Sequence, residues 1–191
     1  MRFTITVICC LLIHSFAVGQ IRGMGWYSEH EKDGITIQNS YNKGGPYTGP
    51  TEGGFRHSYL VYFTRVINES EQPITLTVRH SADATPIPNA PDTFVKVFLP
   101  SDTMTMEKRD LFSYGVTQIA DFDQPTSFQR TIKPQEDCLF YTIAFFYQTR
   151  DVLNEERGGN RAEYTFDGQK LVFNMLPQIE ALPCGDIVFN Q

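Results

Sequence analysis

Few residues in this 191-residue chain combine a type and a spacing that could do chemistry. Beyond the first twenty positions the histidines are His30, His57 and His80, and two of them precede serines, as His57-Ser58 and His80-Ser81. A base and its nucleophile must share a face, whereas neighbours along a strand point to opposite faces, so neither pair can pass a proton. The G-x-S-x-G, H-E-x-x-H, G-x-x-x-x-G-K-[ST] and dinucleotide-binding patterns do not occur. Asp121, Asp123, Glu155 and Glu156 are acids in polar stretches, but no spacing fixes two of them as the facing pair that glycoside hydrolysis needs. Asp83, Asn89 and Asp92 could join Asp121 and Asp123 as hard oxygen ligands for calcium. They follow no ordered ligand register, and neither a metal nor another cofactor is expected.

Binding is better served than catalysis. Residues 149–161 (TRDVLNEERGGNR) carry Arg150, Arg157, Asn160 and Arg161 among acids and a glycine pair, so their guanidinium forks could hold a carboxylate or sugar hydroxyls. The same mixed charges could simply pair with one another and keep a long loop soluble. A second candidate is aromatic. Trp26, Tyr27, Tyr41 and Tyr47 stand among glycines, where they could stack on a glycan or a partner surface, or plug one end of the fold. Asn68-Glu69-Ser70 is a glycosylation sequon in an expected turn.

The N-terminus sets the compartment in which these groups would act. Met1-Arg2 precedes a mostly apolar run from Ile5 to Val18, and Ala17-Val18-Gly19 supplies small residues before a break, the pattern of a secretory signal peptide over residues 1–19. The run is shorter than the roughly 20 residues that span a bilayer. A secreted or periplasmic protein is therefore expected, with no integral membrane segment after cleavage and residues 20–191 forming one domain. Cys9 and Cys10 leave with the leader. In an oxidising compartment the remaining pair, Cys138 and Cys184, is expected to form a disulfide. The balance of 16 basic against 22 acidic residues becomes 15 against 22 without Arg2, so nucleic acid and a basic membrane-binding face are not expected.

The elements that must position these residues read as strands. Fifteen Phe and nine Tyr favour pleated surfaces over helices. Residues 59–67 (YLVYFTRVI) are apolar on both faces near their centre, and residues 74–80 (ITLTVRH) alternate, so the two are expected to form a hairpin. Residues 138–148 (CLFYTIAFFYQ) place Phe140, Ala144 and Phe146 on one side and Leu139, Tyr141, Ile143, Phe145 and Tyr147 on the other. That pattern predicts a central strand covered from both sides. Further strands are expected at 35–38, 94–99, 128–133 and 186–189. Five glycines and two prolines within residues 44–54 predict a long loop there, as do Pro86, Pro88 and Pro91 for residues 81–92. Residues 101–120 could hold one or two helical turns, with Met106, Leu111 and Phe112 roughly on one face and Gly115 as terminator. Asp167-Gly168 predicts a type I′ hairpin pairing Phe166 with Gln169 and Tyr164 with Leu171.

Eight or so strands with frequent turn signals and no strand–helix alternation predict an all-β, antiparallel β-sandwich of immunoglobulin-like or jelly-roll type. The function expected of such a chain is a non-enzymatic binding module for a protein or glycan ligand. The alternatives are a hydrolase using loop carboxylates and a structural subunit of a surface assembly.

Overall fold

The mostly apolar stretch 138–147 sits at the centre of the molecule. In a computed structural model describing residues 25–48, 57–88, 90–119, 124–148, 161–176 and 179–190, β9 (Asp137–Gln148) lies between β4 (His57–Asn68) and β7 (Ala90–Phe98) in a seven-stranded antiparallel sheet. β2 (Ile35–Asn39) and β3 (Lys43–Pro46) share the other side of β4 end to end. β1 (Ser28–Lys32) and β6 (Thr85–Ile87) form the two edges. A five-stranded sheet faces it, in the order β10 (Arg161–Asp167), β11 (Lys170–Leu176), β12 (Ile179–Phe189), β5 (Ile74–His80) and β8 (Thr126–Ile132). The described chain is thus an antiparallel sandwich, as its sequence implies.

The two faces of β9 feed two separate cores. Phe140, Ala144 and Phe146 join Ile35, Ile37, Val66, Leu76, Val78 and Phe173 between the sheets. Tyr141, Ile143 and Phe145 join Tyr59, Val61, Phe63, Phe98 and Tyr114 on the outer face of the seven-stranded sheet. Each buried large side chain in either layer stabilises the fold by about 1.5–3 kcal/mol. Alternation along one strand is therefore enough to place its odd and even residues in different cores.

Residues 59–67 and 74–80 do not form the expected hairpin. β4 pairs with β2, β3 and β9 in one sheet, while β5 pairs with β12 and β8 in the other, so the connector turns a corner between sheets. Asn68 holds that corner. Its buried amide donates to the carbonyls of Gln72 and Ile132 at 2.8 and 3.0 Å, and its Oδ1 accepts from the Ser70 amide and hydroxyl. The sequon nitrogen is spent on the fold.

The hairpin at Asp167-Gly168 forms one residue later than expected. Asp167 pairs with Lys170, Phe166 with Leu171 and Tyr164 with Phe173, leaving Gly168 and Gln169 as the loop. Gly168 has φ +65° and Gln169 does not enter the left-handed region, which matches a type II′ turn with glycine first. Moving the turn by one residue shifts each pairing by two, so Tyr164, Phe166, Leu171 and Phe173 still share a face.

Two stretches expected as loops contain short edge strands. Lys43–Pro46 pairs with β4 because Gly44 has no side chain, and a Cβ there would lie 2.1 Å from the Tyr59 carbonyl oxygen. Thr85–Ile87 tolerates Pro86 because only one side of it is paired. Within residues 101–120 there are two short helical turns, both 3₁₀, at Met106–Asp110 and Phe112–Gly115.

The expected disulfide is not formed: Cys138 and Cys184 are both free and buried. Cys138 lies at the start of β9 in the seven-stranded sheet and Cys184 in β12 of the five-stranded sheet, so the two thiols enter the layer between the sheets from opposite sides without being joined. Cys184 instead sits at a bulge where β12 shifts register against β11, and its thiol donates to the Leu171 carbonyl at 3.3 Å. The segment expected to act as a leader, residues 1–19, lies outside the described residues.

Candidate binding surface

The outer core is roofed by the chain between β7 and β8, and the roof contains a backbone conformation that side chains disfavour. Ser113 and Tyr114 have φ of +45° and +53°, followed by Gly115 at +72°. Left-handed geometry costs a non-glycine residue roughly 1–2 kcal/mol, so two in succession must be held by their surroundings.

The holding contacts are numerous. Ser113 is buried and shares a hydrogen bond with the Tyr59 hydroxyl at 3.2 Å. The Tyr114 ring meets Phe63 edge-on at 4.8 Å and carries the Lys43 ammonium at 4.3 Å from its centroid. Tyr114 donates its hydroxyl to the Tyr41 carbonyl, and its own carbonyl accepts from the Tyr141 hydroxyl, both at 2.6 Å. Burial raises the pKa of both phenols, that of Tyr141 to about 12, so both remain protonated donors at neutral pH. Lys43 also donates to the carbonyls of Arg109 and Leu111 at 2.6 and 3.0 Å.

This arrangement turns two large apolar side chains outward. Phe112 is 74% exposed and Leu111 51%, and Tyr41, tethered to the same turn, is 58% exposed. Apart from these three, Val188 is the large apolar side chain exposed among the described residues. Met106, Leu111 and Phe112 do not share a face as expected: Met106 packs on the outer core, while the left-handed turn buries Ser113 and Tyr114 and leaves Leu111 and Phe112 outside.

The aromatic candidates divide. Trp26 and Tyr47 pack on the outer core, edge-on to Phe63 at 5.2 Å and to Phe145 at 5.1 Å, so they roof a sheet face instead of plugging an end. Tyr27 and Tyr41 meet at 6.0 Å with their planes 66° apart, which is no flat stacking platform. Arg161 lies 5.6 Å from the Tyr27 ring centroid, bringing a member of the charged segment to the aromatic one. Arg150, Arg157 and Asn160 fall outside the described residues, as do Asp121, Asp123, Glu155 and Glu156. Arg109, beside Trp26 at 5.8 Å, and Lys43 complete a cationic rim that the sequence reading missed. The only local sign of it was Phe-Ser-Tyr-Gly, a short run ending on glycine.

A groove of about 770 Å³ opens elsewhere, between β8 and the first half of β9, with Met104, Phe128, Arg130 and Phe140 among its walls. Asp102 is the one carboxylate among its described lining residues, and the amides of Thr117 and Gln118 bind it. A two-carboxylate hydrolytic site is thus not assembled there from the described residues. His80 points into the inner core, hydrogen-bonded to the Tyr164 hydroxyl at 2.8 Å, while Ser81 is exposed. Burial lowers the His80 pKa to about 4, so the ring is neutral. Among the described residues no cluster of three or more His, Cys, Asp or Glu could hold a metal ion, and no helix is long and apolar enough to cross a membrane. The chain matches no protein-family model, no curated protein and no solved structure.

Proposed function

We propose that this chain is a secreted or periplasmic, non-catalytic binding module that docks a protein partner through Phe112, Leu111 and Tyr41. The observation that supports this reading is a strained turn held by at least five side-chain contacts whose outward product is exposed apolar surface. Strain of this kind persists where the surroundings over-determine it, and an aromatic side chain with a cationic rim is the usual composition of an interface anchor. A protein is favoured over a glycan because Tyr27 and Tyr41 do not offer a shared plane and Trp26 is committed to Phe63.

A photo-crosslinking side chain placed at Phe112, and in parallel at Val188 on the opposite sheet, tests the reading in a cell-surface extract. The expected result is a discrete protein adduct from position 112 alone, competed away by the unlabelled chain but not by its Phe112→Ala variant. Equal adducts from both positions, or equal competition by the variant, overturns it. Retention on a glycan array that is lost with Phe112→Ala replaces the protein partner with a sugar.

A further inference from the structure

Among the described residues five strands have an unpaired side along their whole length, and four of them are blocked by recognisable devices. β1 (SEHEK) is short and charged, and pairing with its own copy about His30 would set Glu29 against Glu31. β3 has four residues and ends in Pro46, and β6 has three with Pro86 at its centre. β10 is capped within the molecule. The Tyr164 amide donates to Asn39 Oδ1 at 2.9 Å, and the Tyr164 carbonyl accepts from Asn39 Nδ2 at 3.1 Å, so the hydrogen-bonding groups at the middle of that edge are already used.

β8 (TSFQRTI) carries such contacts at its two ends alone, where the Leu99 amide donates to the Thr126 hydroxyl at 2.9 Å and the Asn68 side-chain amide to the Ile132 carbonyl at 3.0 Å. It runs seven residues in unbroken register against β5, without a bulge or a proline, and Arg130 is its one charge. Among the described residues no backbone hydrogen bond reaches it from the other side. We infer that β8 pairs antiparallel with β8 of a second copy of this chain, joining two five-stranded sheets into one continuous sheet.

The strand's own sequence favours that occupant. In the register centred on Gln129, Ser127 stands opposite Thr131, Gln129 opposite its own copy, and Phe128 opposite Arg130. Directly opposed side chains lie about 4.5–5.5 Å apart, so this register gives hydroxyl–hydroxyl, amide–amide and cation–ring pairs with no like charges in contact. Phe128 is half-buried and stacks on Phe140 at 5.6 Å, which places the Phe128–Arg130 pairs on the groove side. Gln129 is exposed and reaches Thr77 on the outer face, so the Gln129 pair lies in solvent.

Sedimentation of the purified chain over a concentration series tests the inference. The wild type is expected to self-associate reversibly. Gln129→Lys and Gln129→Glu each put like charges directly opposite one another and should weaken association about fivefold, with unchanged melting temperature because the site is exposed. An equimolar mixture of the two should recover association as a Lys–Glu heterodimer. Phe112→Ala should leave association unaltered, which separates this interface from the proposed partner surface. A wild type that stays monomeric, a dimer insensitive to both Gln129 variants, a mixture that fails to recover, or a dimer lost with Phe112→Ala overturns the inference.

Discussion

Among the described residues, the seven-stranded sheet is covered on both faces and the five-stranded sheet on one. β4 and β9 send alternate residues into two cores, whereas β5 sends Ile74, Leu76 and Val78 inward and leaves Arg79 exposed on its other face, paired with Asp186 at 3.5 Å. The first sheet reads as unbroken apolar sequence and the second as alternation. The second layer on the first sheet also supplies the platform from which Phe112 is displayed. A sandwich that adds a roof to one sheet gains a place to build a rigid surface feature.

The contrast is broken most directly by removing a ring from the roofed side. Phe145 is fully buried on the outer face, and Phe145→Ala should cost about 3–5 kcal/mol in a denaturant titration. A cost below about 1 kcal/mol would mean that the roof is not a second core. Each sheet contributes one thiol to the layer between them, and burial raises Cys138 to about 11 and Cys184 to about 12. Against an ordinary thiol at 9.0, alkylation of the native protein without a reductant should be slowed about a hundredfold at Cys138 and a thousandfold at Cys184. Unfolding should release both thiols. Mass analysis that finds a disulfide would overturn the free-thiol structure.

The inner layer also hides a base. His80 is held near 4 in the folded state against 6.5 unfolded, so between these values the unfolded chain binds the extra proton. Stability should fall as pH drops from about 6.5 to about 4, by roughly 3 kcal/mol from this group, and level off below. His80→Gln should flatten that part of the profile, and an unchanged slope would place the pH sensitivity elsewhere. The smallest effect belongs to the unroofed face. Val188→Ala, at 45% exposure, should change stability by no more than about 0.5 kcal/mol.

What the sequence made legible follows from the same contrast. Parity along residues 138–148 assigned each side chain to its correct core, because a strand offers only two faces. Parity also rescued the Asp167-Gly168 hairpin, whose turn moved by one residue without exchanging its faces. Sheet membership was not legible. Nothing local in residues 68–73 distinguishes a hairpin from a corner, since the decision lies in the bonds of Asn68 to Gln72 and to distant Ile132. The disulfide inference failed for a related reason: counting cysteines says nothing about which row of which sheet each occupies. Of the candidate surface, Tyr41, Tyr27 and Arg161 could be named from residue type. Phe112 was misread because a helical period was applied to a turn that runs left-handed.

The bridge from Asn39 to Tyr164 and the ladder from His57 to Tyr147 also set a schedule for synthesis. A ribosome must pass Gln148 before β4 can complete its pairing with β9, and must reach β12 before β5 gains its second neighbour. So many contacts between distant parts of the chain predict slow, late folding on the millisecond-to-second scale. Until then the N-terminal strands lack these partners, and a fragment ending before β9 should fail to fold when expressed alone.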